Sequence, residues 1–222
     1  MSVLYLVATP IGNLKDITLR ALEVLKDADL ILAEDTRRSS QLLATYDIRK
    51  PLESFHEHNE VQKIPTILSM LRAGKKIALV SDAGTPTLSD PGFKLVREAV
   101  RENIKVESIP GASAILSALT ASGLPTDQFL FIGYLPKKVG KQKEILDFID
   151  LVLAKRPTTI IFFESPFRVK KTIQLLAEKF PDSNLVVARE LTKVHEEFIR
   201  GRSKEIAEKD FPQKGEFTIL LR

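Results

Sequence analysis

The sequence predicts an α/β protein built of two α/β domains of similar size, and three observations carry that expectation. Short apolar runs of strand length, "VLYLVA", "DLILAE" and "KIALVS", alternate with helix-like segments through the first half. These runs are apolar at successive positions, as strands covered on both faces must be, which points to a parallel sheet. After "PGASAILSALTASG" the rhythm changes, and the strands and helices that follow suggest a mixed sheet. The expected division is 1–112 for an N-terminal domain with the parallel sheet and 113–222 for a C-terminal domain with the mixed one.

Val3 to Ala8 reads as the first strand and Asp29 to Glu34 as the second. Between them Thr18 can cap a helix in which Leu19, Leu22 and Leu25 recur at three-residue spacing. A helix around Gln41 to Tyr46 follows, then a long one from Val61 to Arg72 that Gly74 ends. The strand Lys76 to Ser81, a helix from Phe93 to Val100 and the short strand Lys105 to Pro110 complete the first half. Beyond the junction, Pro110 to Gly123, strands are expected at Phe129 to Tyr134, Thr158 to Phe163, Leu185 to Ala188 and Glu216 to Leu221. Helices are expected at Lys143 to Leu153, Phe167 to Phe180 and Ser203 to Glu208. Phe129, Phe131, Phe162 and Phe163 fall in strand patterns and are expected in the core.

A chain of 222 residues, 44% hydrophobic, can bury a useful core. No apolar stretch approaches the ~20 residues of a membrane span, and the chain enters a strand without a basic leader, so a soluble cytoplasmic protein is expected. The absence of cysteine excludes disulfides, thiolate metal sites and cysteine nucleophiles, leaving oxygen, nitrogen or a bound cofactor to do any chemistry. A formal net charge of +4 is too weak to signal nucleic-acid binding by itself. Local clustering is more informative: "PKKVGKQK" gathers Lys137, Lys138, Lys141 and Lys143, and "FRVKK" adds Arg168, Lys170 and Lys171. The bland alternative for such runs is a solvated face.

Open α/β sheets bind ligands beyond the carboxyl ends of their strands. Four loops at such ends are rich in small, polar or turn-forming residues: "TPIGN" (Thr9 to Asn13), "EDTR" (Glu34 to Arg37), "SDAGTP" (Ser81 to Pro86) and "PGASA" (Pro110 to Ala114). Gly84 removes a side chain that would bar close approach of a ligand to the backbone. "PGASA" leads straight into a helix whose free N–H groups suit a carboxylate or phosphate. Neither G-x-G-x-x-G after the first strand nor G-x-x-x-x-G-K-[ST] anywhere is present, which disfavours a dinucleotide site and a P-loop.

The ordered motifs "LYLVATPIGNLKDIT", "AEDTRRSSQLL", "SFHEHNE", "SDAGTPTLSDPG", "PGASA", "FFESPFR" and "RELTKVHEE" resemble the tetrapyrrole methylase (class III methyltransferase) family, and within it the ribosomal RNA small subunit methyltransferases I. The resemblance runs from Leu4 to about Gly201. It implies a two-domain enzyme with S-adenosylmethionine in the cleft between its halves, as a homodimer. It also implies methylation of the ribose 2′-hydroxyl of a cytidine in the decoding region of 16S rRNA, so that the RNA or the small ribosomal subunit is the partner. By the same resemblance Pro10, Asp82, Ala83, Thr85, Ser113 and Ala114 are the cofactor contacts, and no metal is implied. Longer relatives carry a helical extension after the strand matching "GEFTILLR". With the chain ending at Arg222, the grip on RNA is expected to fall on the lysine-rich segments or on a dimer partner.

A ribose hydroxyl is a poor nucleophile while protonated, so a general base is sought among Glu34, Asp35, His56, His58, Glu164, Glu190 and Lys193. Glu34 and Asp35 follow a strand directly and are favoured as substrate-side acids, with Arg37 on a phosphate or paired with them; an internal salt bridge is the competing reading. His56 and His58 lack further ligands at metal-binding spacing, and His195 stands alone. Glu164 and Arg168, four apart with Pro166 between, suit either a substrate-facing role or a local ion pair. With Lys137, Lys138, Lys141 and Lys143 they are the candidate substrate-binding residues. Two rival functions are a class III methylase acting on a small molecule such as a tetrapyrrole, and a catalytically silent RNA-binding module.

Overall fold

The structure, a computed structural model, describes residues 2–222, and the chain divides into two compact units, Met1–Ser113 and Ala114–Arg222. In the first unit β1 (Val3–Val7), β2 (Leu30–Ala33), β3 (Leu52–Ser54), β4 (Lys76–Val80) and β5 (Val106–Ile109) form a sheet in the order β3-β2-β4-β1-β5. Every neighbouring pair is parallel.

Helices α1 (Leu19–Asp27) and α2 (Thr36–Thr45) cover one face of this sheet, where Ala21, Leu25 and Leu43 meet Val7, Ile31, Ala78 and Val80. On the other face, α3 (Glu60–Arg72) and α4 (Phe93–Arg101) bring Ile67, Leu71 and Leu95 against Leu4, Leu32, Ile77 and Leu79. Consecutive residues of β4 therefore serve opposite cores, which is why "IALV" is apolar at every position. Each fully buried Leu or Ile here contributes roughly 1.5–3 kcal/mol. Thr18 caps α1 as expected, its hydroxyl oxygen accepting from the Ala21 N–H at 3.1 Å.

This arrangement creates a switch point. β1 and β4 lie side by side, yet β1 leads into α1 on one face and β4 into α4 on the other. Such a point, at the carboxyl edge of the sheet, is where open α/β sheets take their ligands.

In the second unit α5 (Ala114–Ser122) precedes β6 (Phe129–Tyr134), α6 (Val139–Lys155), β7 (Thr159–Glu164) and α7 (Val169–Lys179). Then come β8 (Asn184–Arg189), β9 (Glu197–Arg202), α8 (Ser203–Glu208) and β10 (Phe217–Leu221). The sheet order is β6-β7-β10-β8-β9, with β6 and β7 parallel and every other pair antiparallel. Leu146, Ile149, Ile173, Leu176 and Ile206 from α6, α7 and α8 pack on Ile160, Phe162, Val187 and Ile219, while α5 lies against β7, β8 and β10.

Several elements differ from expectation. β3 and β9 are edge strands, each paired on one side only, and neither has an uninterrupted apolar run in "LES" or "EFIRGR". α2 begins at Thr36 rather than near Gln41, because the Asp35 side chain caps it. α6 begins at Val139, so Lys141 and Lys143 lie on its first turns. α7 begins at Val169, which leaves Pro166 in the turn before the helix instead of in its first turn. Of the four phenylalanines expected in the core, Phe162 is buried, Phe131 and Phe163 are half-buried with ring centroids 4.9 Å apart, and Phe129 is exposed.

Candidate active site

The loops after β1 and β4 are joined by a two-way backbone bridge: the Thr9 N–H donates to the Gly84 carbonyl at 2.9 Å and the Gly84 N–H to the Thr9 carbonyl at 3.1 Å. The buried Thr9 hydroxyl donates to the Ser81 carbonyl at 3.1 Å, and the Ser81 hydroxyl reaches the Gly84 carbonyl at 3.3 Å. Gly84 holds a φ of +82°, in the region that favours glycine, and a Cβ there would meet Ile11 at 3.4 Å. A Cβ on Gly111, after β5, would approach Ala8 at 3.0 Å. Small residues thus draw the chain segments after β1, β4 and β5 together. Pro10 and Asp82 line one cavity of about 180 Å³ with Thr9, Arg38, Ser39 and Ser81. Ala83 and Thr85 belong to the bridged loop, while Ser113 stands at the boundary of the two units, immediately before α5 begins at Ala114.

The "EDTR" loop follows β2. Asp35 is tied down locally, since its carboxylate accepts from the Arg37 N–H at 2.9 Å and from the Arg37 guanidinium at 3.0 and 2.7 Å. The Arg37 hydrogen bonds hold its carboxyl down at a pKa of about 2. Arg37 is otherwise well exposed. Glu34, one residue earlier, behaves in the opposite way: burial, reinforced by the Asp82 charge, lifts its carboxyl above the ordinary range. Asp82 joins the two loops, accepting from the Asp35 N–H at 2.9 Å and lying 3.5 Å from the Arg38 guanidinium.

Sequence reasoning missed Asp90. Burial, then repulsion from Glu34 and from Asp82, pushes its carboxyl up to about 6 despite a hydrogen bond from Ser81. Its segment is bent to fit: Thr87 and Ser89 hold φ of +74° and +66°, and Gly92 holds +120°. A second Asp in "SDAGTPTLSDPG", inside a run of turn formers, was the available signal. Glu60 was missed too; buried at the start of α3, it pairs with Lys94 at 3.0 Å and receives the Gly92 N–H at 3.4 Å, anchoring the far end of the same loop.

His56 and His58 have ring centroids 6.0 Å apart, and no cluster of three potential metal ligands exists among the described residues. The His56 ring nitrogen Nε2 faces the Asn59 amide at 3.1 Å, and Asn59 is oriented by accepting the His56 N–H at 2.9 Å.

In the second unit Glu164 is fully committed to structure. Its buried carboxylate accepts from the Ser165 N–H, the Arg168 guanidinium and the Thr172 hydroxyl, each at 2.7 Å. Arg168 also donates to the Leu135 carbonyl at 2.9 Å, so the pair locks the turn after β7 to the chain after β6. Lys137, Lys138, Lys141 and Lys143 are all exposed. Glu190 and Lys193 pair at 2.8 Å, and Glu190 also accepts the Glu216 N–H at 2.9 Å. Burial would raise the Glu190 carboxyl, yet bonds from Lys193 and Glu216 outweigh it and hold it low. Burial likewise pulls the Lys193 ammonium down, but Glu190 and Glu216 raise it on balance and keep it protonated, unsuited to act as a base. His195 is exposed.

The family described as Tetrapyrrole (Corrin/Porphyrin) Methylases matches residues 3–207. A Thermotoga maritima protein named "Ribosomal RNA small subunit methyltransferase I" is 47% identical over 224 residues, covering 100% of this chain and 98% of that protein. A Bacillus subtilis protein of the same name is 46% identical over 224 residues, covering 100% of this chain and 75% of that one. Among solved structures, uroporphyrin-III-C-methyltransferase from Thermus thermophilus aligns over 99% of this chain and 94% of its own with a TM-score of 0.66 at 20% identity. Diphthine synthase aligns over 99% and 90% with a TM-score of 0.72 at 17% identity. At such identities these two neighbours establish the fold alone.

The first unit's own residues fit a cationic donor with peptide-binding ends. Burial first, and then repulsion from Asp82 on Glu34 and from Glu34 and Asp82 on Asp90, lifts the Glu34 and Asp90 carboxyls, and a positively charged sulfonium is the kind of group that offsets such repulsion. Ala83 and Gly84 add little side-chain bulk at the same strand ends. With matching loops, fold and sequence in agreement, this chain belongs to the tetrapyrrole methylase family and is an S-adenosylmethionine-dependent methyltransferase.

Proposed function

We propose that this protein methylates the ribose 2′-hydroxyl of a cytidine in the decoding region of 16S rRNA, acting as a homodimer on the RNA or on the small ribosomal subunit. The observation that carries the reading is the 47% identity, over essentially all of both chains, with a relative whose name states that substrate class. S-adenosylmethionine, when bound, supplies a methyl group on a positively charged sulfur, open to in-line displacement. The contribution of the chain is to hold the acceptor in that line, which alone can supply about 7–11 kcal/mol of barrier reduction.

Pro10, Asp82, Ala83, Thr85, Ser113 and Ala114 are the proposed cofactor contacts. Glu34 is the proposed base: its raised carboxyl is a better proton acceptor than Asp35, which Arg37 holds at about 2. It takes the proton of the 2′-hydroxyl as the oxygen–methyl bond forms, an assistance worth about 10²–10⁴ in rate. Asp35 and Arg37 then shape the loop as a capped pair, with the exposed guanidinium able to meet a phosphate. Lys137, Lys138, Lys141 and Lys143 meet the RNA backbone, and Glu164 with Arg168 supports that surface from beneath.

The test is transfer of labelled methyl to purified small subunits and to free 16S rRNA, followed by digestion and mass mapping. Label in one 2′-O-methylcytidine of the decoding region is expected. Label on a base, in another region, or on a tetrapyrrole without RNA overturns the reading. A protein that binds RNA and retains S-adenosylmethionine yet transfers nothing would be the silent module. Sedimentation at twice the 24.9 kDa chain mass checks the dimer.

A further inference from the structure

We propose that Phe167 and Tyr134 form a stacking platform for unpaired RNA bases, bordered by lysines that hold the intervening phosphates. The inference rests on RNA as the substrate and adds where a single-stranded segment lies on the second unit. Phe167 is 97% exposed and Tyr134 56% exposed, although large aromatic rings ordinarily bury most of their surface. Phe167 is not on a loose end. Its turn is pinned by Glu164, which is buried, and by Arg168, whose guanidinium reaches Glu164 and the Leu135 carbonyl at 2.7 and 2.9 Å.

That second bond joins the Phe167 turn to the residue following Tyr134. Tyr134 itself sits opposite Phe163 in the β6–β7 register, with ring centroids 5.7 Å apart. Both exposed rings therefore stand at the carboxyl edge of the β6–β7 pair. Lys137, Lys138 and Lys141 follow β6 in the chain and Lys170 and Lys171 follow β7, all exposed. Among the described residues these five take part in no ion pair, whereas Lys179 on the same helix as Lys170 bridges Asp147 at 2.9 Å.

The chemistry selects the occupant. Uncompensated cations around flat apolar rings suit a polyanion that carries π-faces, which is single-stranded nucleic acid. A second copy of this chain is disfavoured, since a two-fold contact through the patch would bring two like-charged lysine sets together.

The sequence contains no tryptophan, so Phe167→Trp introduces a single reporter. Anisotropy with a labelled single-stranded oligoribonucleotide should show Phe167→Ala weakening binding by roughly tenfold, in the range of one lost base stack, with the salt dependence unchanged. Phe167→Trp should bind as wild type, and its emission should be quenched by the oligoribonucleotide but not by heparin, a polyanion without bases. An unchanged affinity in Phe167→Ala, or quenching by heparin as strong as by RNA, overturns the platform while leaving the RNA substrate intact. A halved sedimenting mass in Phe167→Ala assigns the ring to self-association and overturns it as well. Wild-type protein that binds no RNA at all would sink the proposed substrate itself.

Discussion

Neighbouring carboxylates in this fold are set to different tasks by what surrounds them. Glu34 and Asp35 are adjacent in sequence, but one is half-buried beside Asp82 and the other is clasped by Arg37. Glu34→Gln should therefore lower the methyl-transfer rate by about 10²–10⁴ with much less effect on cofactor affinity, whereas Asp35→Asn, which keeps a capping side chain, should change the rate far less. Single-turnover kinetics with separate cofactor titrations would read both. Asp90 makes a pH-dependent prediction. Its carboxyl titrates near 6 in the folded chain, against an ordinary value near ~3.9 when unfolded. A raised carboxyl costs stability as pH climbs from ~4 to ~6, and the full cost persists above that. Asp90→Asn should accordingly stabilise the cofactor-free protein at pH 7–8, by on the order of 1–2 kcal/mol after solvent screening, and have no such benefit at pH 4. Urea melts at the two pH values decide it.

At the scale of elements, the segment from Thr87 to Gly92 carries backbone strain next to the strand end that supports Asp82. A Cβ on Gly92, at φ +120°, would come within 2.5 Å of Leu79 Cδ2 in the core. Gly92→Ala should destabilise the protein by at least about 2 kcal/mol, combining a disfavoured φ with overpacking. Thr87→Gly should do the reverse, gaining up to about 1 kcal/mol by relieving a β-branched residue at positive φ, and denaturant midpoints would show the opposite signs. Such strain was invisible in the sequence except as a cluster of turn formers. What could be read was whatever repeats along the chain: the doubly buried strands β1, β2 and β4 are continuous apolar runs, and Thr18 announces α1. Of the four edge strands β5 and β6 were legible, but β3 and β9 could not be read, because β3 offers only "LES" and β9 mixes charge and glycine, their pairing being decided by neighbours far away in sequence. The same holds for the site. Asp82 stood out at a strand end, but the roles of Asp90, Glu60 and the fully satisfied Glu164 depend on partners that only tertiary contact supplies.

For the whole molecule, the two compact units carry different chemistry, and that separation can be tested. The Glu34, Asp82 and Asp90 carboxylates and the bridged loops after β1 and β4 belong to the unit ending at Ser113, while the exposed lysines of "PKKVGKQK" belong to the unit beginning at Ala114. Binding a small sulfonium depends on a few short contacts and is insensitive to remote surface charge once screened over a Debye length of about 8 Å. Binding RNA depends on neutralised phosphates, and each contact to a single strand contributes about 0.7 to the slope of log affinity against log salt. Replacing Lys137, Lys138, Lys141 and Lys143 with alanine should thus flatten that slope by up to about 0.7 for each lysine that meets a phosphate, and weaken RNA binding most at low salt. Cofactor affinity should stay within about twofold of wild type. Asp82→Ala should show the complementary pattern, because it removes the acceptor for the Asp35 N–H and the partner of Arg38, disturbing both loops at the switch point. Isothermal titration with S-adenosylmethionine and salt-dependent RNA anisotropy on both variants provide the comparison. Equal cofactor loss in the two proteins would mean that the lysine segment and the switch-point loops act as one site.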